Sequence, residues 1–276
     1  MEANLHKGII TSLTMAGVTT REQALVLLGN IRKYHEMLSE TDYVMPLWMP
    51  FASTILALAS VVPLAVLTAL YPDLSEVPEA VLGAVAILVV MLIAAMVVSI
   101  YVYYKLIARR NQHFKRARLL YTNVADLLEK MGSARALSIR SIIREMEVEE
   151  QEKSAVLWIA LIVLIGIVVF YVYHFLNRDF NKHSARERRL LEEVKRGLEE
   201  LGVVATFMPE ELYVVPRRST IVYIVLSLVT MGIFSLYWIY TLTKDPNEHF
   251  KSHRDIERLL ISSLERAVEE KFPPGG

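Results

Sequence analysis

Apolar residues in this chain follow two rhythms. Four charge-free runs, at 51–71, 80–104, 154–176 and 219–242, each approach the ~20 residues a helix needs to cross ~30 Å of hydrocarbon. Between and beyond them, apolar positions return every three or four residues, the spacing of one helix face. Ala24, Leu25, Leu28, Ile31 and Leu38 form one stripe; Ala117, Leu120, Val124, Leu127, Leu128 and Met131 form a second. Ala136, Ile139, Ile142, Ile143 and Met146 make a third, and Ile256, Leu260, Leu264 and Ala267 a fourth. The pattern predicts an all-α polytopic membrane protein, four transmembrane helices with long helical extensions beyond the membrane.

Breakers and caps divide the chain. Residues 1–42 read as an N-terminal cytosolic helical segment, capped at Thr19 or Thr20 with Glu22 or Gln23 at the capping-box position. Residues 1–16 carry neither a basic start nor a cleavage-like site, so no signal peptide is expected and the first span directs insertion. Residues 43–104 form a first transmembrane hairpin, entered through Pro46, Trp48 and Pro50 and kinked at Pro63, where Ser60 can take up the freed carbonyl. No Gly or Pro interrupts 84–131. The second span is therefore expected to run on into a cytosolic antiparallel helical hairpin, 105–153, that turns at Gly132-Ser133 with arms of about 20 residues each. Its acidic end, Glu145, Glu147, Glu149, Glu150 and Glu152, reads as a solvated face paired with Arg140, Arg144 and Lys153. Residues 154–242 are expected to hold a second transmembrane pair around an extramembrane helix and loop at 177–218. Residues 243–276 read as a C-terminal cytosolic amphipathic helix, restarted at Asp245-Pro246, with a frayed tail from Pro273.

Charge sets the expected orientation. The connection at 72–79 has three acids and no base, and strict alternation of four spans places 21 Lys and Arg on one side against 9 on the other. The positive-inside rule then predicts a multi-pass plasma-membrane protein with both termini cytoplasmic.

A repeat cuts across this division. Tyr101, Tyr103, Leu106, Asn111, His113, Arg116, Arg118, Leu120, Val124 and Leu128 recur 70 residues later, without a gap, as Tyr171, Tyr173, Leu176, Asn181, His183, Arg186, Arg188, Leu190, Val194 and Leu198. A partial third copy, 136 residues after the first, keeps Tyr237, Leu242, Asn247, His249, Arg254, Ile256, Leu260 and Leu264, with Trp238 and Tyr240 beside the first of these. Self-similarity at a fixed distance defines a structural unit, here a span plus the helix leaving it. Aromatics at span ends anchor at the headgroups and the Arg residues beyond them meet lipid phosphates, so membrane lipids are expected partners. The Asn-x-His pair is not explained by anchoring. It reads as capping contacts, or as a polar cluster against a neighbouring helix or a headgroup. Alternation places the first two copies on opposite faces, so the repeat is either inverted or a convergence on interface chemistry.

The stretch Leu226-Ser227-Leu228-Val229-Thr230-Met231-Gly232-Ile233-Phe234-Ser235-Leu236-Tyr237-Trp238-Ile239-Tyr240, followed by Lys244-Asp245 and Asn247, resembles the signature of a prokaryotic membrane family known as domain of unknown function 4234. Phe234 stands where that family usually has Tyr, and the two earlier copies lack the Thr-x-Gly element. The resemblance implies a small helical membrane protein and supplies no catalytic residues.

Candidate chemistry is thin. The chain has no cysteine, which removes disulfides, thiolate metal sites and thiol catalysis. His249 and His253 are four apart and could share a metal with Asp245 or Glu248, but without an identifiable third ligand no metal or cofactor is assigned. His35-Glu36 lacks the second His of a zinc-protease helix. Phosphate loops, nucleophile elbows and dinucleotide turns are absent, and no nucleic-acid partner is expected. The spans hold almost no ionisable group, which disfavours active transport, whereas small and hydroxylated residues such as Ser53, Ser60, Gly166, Ser227, Thr230 and Gly232 suit close helix packing. A preference for Arg over Lys with few Gln and Asn is compatible with a hot or G+C-rich source. The expected function is a non-enzymatic membrane scaffold or complex subunit that uses coiled, extended helices for self-association or partner binding. The alternative is a homo-oligomeric passive channel lined by hydroxyl-bearing spans. Replacing Asn111 and His113 with Ala is expected to lower thermal stability or assembly, measured by melting and size-exclusion chromatography in detergent; unchanged behaviour reduces the motif to an anchor.

Overall fold

The computed structural model describes residues 20–71, 73 and 77–273; the expectations for residues 1–19, for most of the connection at 72–76 and for the tail at 274–276 lie outside them. The helices are α1 (Thr20–Glu36), α2 (Leu38–Thr41), α3 (Met49–Ser60), α4 (Val62–Leu70), α5 (Pro78–Met131), α6 (Ala136–Glu149), α7 (Ala155–Leu164), α8 (Val168–Glu200), α9 (Thr220–Val229) and α10 (Ile233–Lys271). Three of them, α5, α8 and α10, carry the three motif copies and converge on one another.

Each copy belongs to a larger unit. The chain first lays down a covering segment, passes through an apolar helical hairpin, and leaves it as a long helix that ends on the polar side. In the first unit the cover is α1, packed against α5 and α10; in the second it is α6, packed against α5 and α8. In the third it is the extended stretch 203–216 with a short 3₁₀ turn at Pro209–Glu211, packed against α8 and α10. Three covers therefore fill the three grooves between three long helices. The first two units also end alike. Gly132 and Gly202 adopt φ of +89° and +85°, and Ser133 and Val203 each return a backbone N–H to the carbonyl of Leu128 and Leu198, the left-handed glycine stop of a helix.

The apolar stripes supply the core of the polar half. Leu120, Val124, Leu128, Leu190, Val194, Leu198, Leu260 and Leu264 are fully buried and Ile256 nearly so, in one cluster with residues of α1, α6 and the 203–212 stretch. Each such side chain contributes about 1.5–3 kcal/mol relative to exposure. Gly197 is required by close approach: a Cβ there would lie 3.0 Å from Ser133 Oγ and 3.3 Å from Arg135 Cβ. The acidic end of α6 is paired across to α8 rather than along its own helix. Arg186 reaches Glu145, Glu149 and Glu150, Arg189 reaches Glu145, and Lys182 reaches Glu149. Arg140 turns instead to Asp126 and Glu129 of α5. The second arm of the 105–153 hairpin is also shorter than expected, 14 residues.

The apolar half differs from expectation in span number. Two stretches, Met49–Leu70 and Pro78–Met131, are long and apolar enough to cross a membrane, and only 6% and 11% of their most apolar windows is buried within the protein. Their side chains face outward from the protein rather than into its core. The helices α7 and α9 have ten residues each, about 15 Å, half the hydrocarbon thickness. At Ile165-Gly166 and Met231-Gly232 the chain turns and comes straight back as α8 and α10. The runs 154–176 and 219–242 each sum two short antiparallel arms to the length of one span, which is why hydropathy reads each as a crossing. The physical meaning of Thr-x-Gly is this turn: Gly232 takes φ +92°, while Thr230 Oγ1 accepts the N–H of Phe234 at 2.9 Å.

With the 154–176 run returning to the side it left, alternation no longer places 177–218 opposite 105–153. His183 touches both His113 and, through Glu187, His249, so all three extensions lie together. The repeat is neither inverted nor a convergence on two faces; its units point the same way around one axis. Asn111, Asn181 and Asn247 close that ring. Asn111 donates to Lys153 O (2.7 Å) and accepts from Lys153 N (3.2 Å), just before α7. Asn181 donates to Val215 O (2.6 Å), before α9. Asn247 donates to Met45 O (2.7 Å) and accepts from Met45 N (3.0 Å), before α3. Each Asn thus holds the extended entry segment of the next unit, and the last holds the first. Asn247→Ala leaves a buried N–H and carbonyl unpaired and is expected to cost about 2–4 kcal/mol, against about 1 kcal/mol for Asn181→Ala, which frees one carbonyl; melting of the two variants in detergent checks the order.

Candidate metal centre

The motif histidines meet on the axis. His113, His183 and His249 are completely buried, with Nε2 of His113 3.1 Å from Nε2 of His249 and 3.2 Å from Nε2 of His183. Glu187, one helical turn beyond His183 and also completely buried, brings Oε2 to 3.2 Å from His249 Nε2 and 3.7 Å from His183 Nε2. All four ligand-type atoms lie within 4.8 Å of one another.

The other ring nitrogen of each histidine determines where its hydrogen sits. His113 Nδ1 lies 2.9 Å from Asp42 Oδ2, His183 Nδ1 2.9 Å from Glu150 Oε2, and His249 Nδ1 2.9 Å from the carbonyl oxygen of Tyr213. A carbonyl can only accept. The carboxylate of Asp42 is held ionised: burial would raise its pKa, but His113 and the Arg116 guanidinium outweigh burial and keep it well below the usual range. Glu150 is paired with Arg186 at 3.0 Å. Every Nδ1 therefore carries the hydrogen and, in a neutral ring, every Nε2 is bare. Burial above all keeps His113 neutral, against the pull of Asp42, with its pKa lowered to about 3; His249 is lowered by burial too.

Three lone pairs and a carboxylate oxygen thus face one another in a fully buried site. Glu187 Oε2 finds no hydrogen bond. A single added proton bridges one of these contacts and leaves the others repulsive, whereas a cation at the centre satisfies all four. Four N/O ligands at 2.0–2.1 Å in a tetrahedron have ligand–ligand edges of about 3.4 Å; four of the six pairs lie at 3.1–3.7 Å and the other two within 4.8 Å, so a bound ion would draw those two closer. The surroundings are those of a metal centre. Each imidazole is oriented by an acceptor on its far nitrogen, and Phe114, Phe180 and Phe250 wall the rings, Phe114 stacking on His183 at 4.1 Å.

The remaining motif positions have separate roles. Arg116 binds Asp42 through two nitrogens (2.9 and 3.2 Å) and Glu257 at 2.7 Å, and Arg186 binds Glu150; both hold the carboxylates that hold the histidines. Ser252, which replaces Arg in the third copy, accepts the backbone N–H of Tyr213 at 3.0 Å to the same end. Arg188 donates to Leu212 O, Arg118 is half-buried and Arg254 is exposed, all away from the centre. Tyr101, Tyr171 and Tyr237 are outward-facing. Tyr103 and Tyr173 share a hydroxyl contact of 3.3 Å on the apolar part of the axis, with Trp238 packed against Tyr173, and Tyr240 lies beneath Lys244.

The ligand set considered from sequence is rearranged. His249 is a member, but His253 is not: both its nitrogens are taken by carboxylates, Nε2 by Glu187 Oε1 and Nδ1 by Glu257 Oε1 at 2.8 Å. Burial opposes its charge, yet Glu187 and Glu257 raise its pKa to about 10, so it is an imidazolium that orients Glu187. Asp245 is paired with Arg218 and Glu248 with Lys251. His35 contacts Glu257 at 2.8 Å. Asp42, Glu150, Tyr213 and Glu187 were not visible as site residues in the sequence. Glu187 carried one signal, its place four residues after His183, where the third copy has His253; Asp42 and Glu150 share only a position three residues before the segment that an Asn clamps.

Residues 218–263 match the family described as domain of unknown function DUF4234. That segment contains α9 and most of α10, the third unit with Asn247, His249 and His253, so the match covers one of the three units. No curated protein and no solved structure matches the chain. Glu187→Gln is expected to abolish any melting shift on adding Zn²⁺ and also to lower the stability of the metal-free protein, because it leaves the buried His253 imidazolium with one anionic partner, Glu257, in place of two; a Zn²⁺ shift that survives in this variant contradicts the ligand assignment.

Proposed function

We propose that this protein is a non-enzymatic membrane scaffold in which one divalent transition-metal ion, zinc by geometry, staples three helical units together. The observation that carries this is the forced tautomer of the three histidines, which leaves three bare nitrogens and one unbonded carboxylate oxygen around a point. Three imidazoles and a carboxylate suit Zn²⁺ among the available divalent ions. Four protein ligands, all buried, leave no open position for a substrate, the arrangement of structural rather than catalytic sites.

Membrane placement supports the same picture. Every Lys and Arg among the described residues lies in the polar half, on α1, around 105–153, 177–218 and 243–271, and none lies in the hairpins. By the positive-inside rule this half is cytoplasmic, with one full hairpin crossing and two half-length hairpins entering from the same side. The passive-channel alternative draws less support. Ser60, Ser227 and Thr230 bond carbonyls of their own helices, and Val102, Val172 and Trp238 fill the axis. Assembly with further copies or with a membrane-complex partner would use the outer, charged faces of the polar bundle.

Metal analysis of protein purified without chelator is expected to give about one zinc per chain, lost in His113→Ala, His183→Ala and His249→Ala and retained in His35→Ala. Reloading at about 1,000 times Kd adds about 4 kcal/mol of stability, a melting shift of several degrees. Cobalt substitution is expected to produce the intense visible bands of a tetrahedral ion. Protein that carries no metal and whose melting responds to none of Zn²⁺, Fe²⁺, Mn²⁺, Co²⁺, Ni²⁺ or Cu²⁺ overturns the proposal.

A further inference from the structure

One groove of the ring is unlike the other two. Between α8 and the start of α9 lies an open cavity of about 820 Å³ whose lining includes His174, Arg178, Lys182, Arg217 and Arg218 and no carboxylate. His174, Arg178 and Lys182 form a stripe along α8, one turn apart. The first turn of α9 adds backbone N–H groups, the anion-favouring end of a helix. Some of this charge is compensated from outside the cavity: Lys182 by Glu149 at 2.7 Å and Arg218 by Asp245 at 2.5 Å. Arg178 has only a 3.6 Å contact with Asp179 and is half-exposed. Arg217 is exposed and forms no ion pair among the described residues.

The repeat supplies an internal control. At the positions of His174, Arg178 and Lys182, the first unit has Tyr104, Ala108 and Gln112, and the third has Tyr240, Lys244 and Glu248. Both those units fold and clamp in the same way, so neither folding nor clamping requires a basic stripe. The depth of the cavity is also informative. It opens where α8 leaves its apolar arm, next to Tyr171, whose ring lies 6.2 Å from that of His174 in the lining. Ile221 lines the cavity, and with Val225 and Leu228 on the same face of α9 it is exposed, at 76%, 51% and 68%. A basic cavity continuous with an apolar exposed helix face fits a molecule with a phosphate at one end and hydrocarbon at the other.

We infer that this groove binds the phosphate headgroup of an anionic phospholipid, with its acyl chains along α9, an inference that rests on the membrane placement proposed above but not on the metal. Lys and Arg clusters at this depth recognise such headgroups, and free inorganic phosphate is the other source of the same chemistry. The test uses the full-length protein in detergent, with phosphatidic acid, phosphatidylcholine or inorganic phosphate added and binding read by native mass spectrometry and melting. Phosphatidic acid is expected to bind about tenfold or more tightly than phosphatidylcholine and to raise the melting temperature. Arg178→Ala/Arg217→Ala is expected to lose that preference, while Lys244→Ala, in the related groove, keeps it. Inorganic phosphate binding as tightly as phosphatidic acid overturns the lipid assignment in favour of a free-anion site. Undiminished lipid preference in the double variant overturns the site itself. Both variants retain wild-type metal content, so a failure here is separable from a failure of the metal proposal.

Discussion

Four lone-pair-bearing atoms that would repel one another without a cation lie at the centre of this protein, and the architecture around them serves to bring them there. Each of three helices delivers one imidazole, and each imidazole is turned inward by an acceptor that occupies its other nitrogen. Those acceptors come from the segment that enters the same unit's hairpin. The hairpin therefore carries out a task beyond anchoring: it returns the chain so that an acceptor and its histidine, 33 to 71 residues apart, face each other. The Asn residues two positions earlier then join each unit to the next, so orientation and ring closure arise from a single i, i+2 pair.

Symmetry is kept where the ring must close and broken where a single ligand is needed. A tetrahedral ion on a threefold axis takes three equivalent ligands and one unique one. The position that would supply the unique ligand is Glu187 in the second unit; its counterparts are Ala117, which makes room, and His253, which holds Glu187 in place as an imidazolium. One residue position thus takes three different roles in three copies. The grooves diverge in the same way, since only the one between α8 and α9 carries the basic stripe.

The buried ionic groups and the apolar stripes divide the energetic work. Arg116, Asp42, Glu257 and His253 are all nearly or fully buried, and the desolvation cost of such a network offsets much of its Coulombic gain. Its value is geometric, because a slipped helix would leave charges unpaired in a buried interior. Net stability comes instead from the leucine-rich stripes beyond the histidine cluster, where nine motif positions at i, i+4 and i+8 are buried together. Below the centre Tyr103, Tyr173 and Trp238 seal the axis against the apolar half.

Much of this was legible in the sequence. Hydrophobic periodicity specifies the long helices, the glycine stops specify their ends, and the 70- and 136-residue spacings identify Asn111, Asn181, Asn247 and the three histidines as a set that anchoring does not explain. These are local properties, written in each unit's own residues. What the chain alone left open was direction. Two antiparallel arms of ten residues and one helix of twenty have the same hydropathy, so a turn at Gly166 or Gly232 cannot be told from a continued span by composition. That ambiguity reversed the inferred side of the second copy and kept the histidines apart. Only the tertiary structure decides it, because the contacts that force the arms back, His to His and Asn to the next unit's backbone, join residues from different units and have no signature within any one of them.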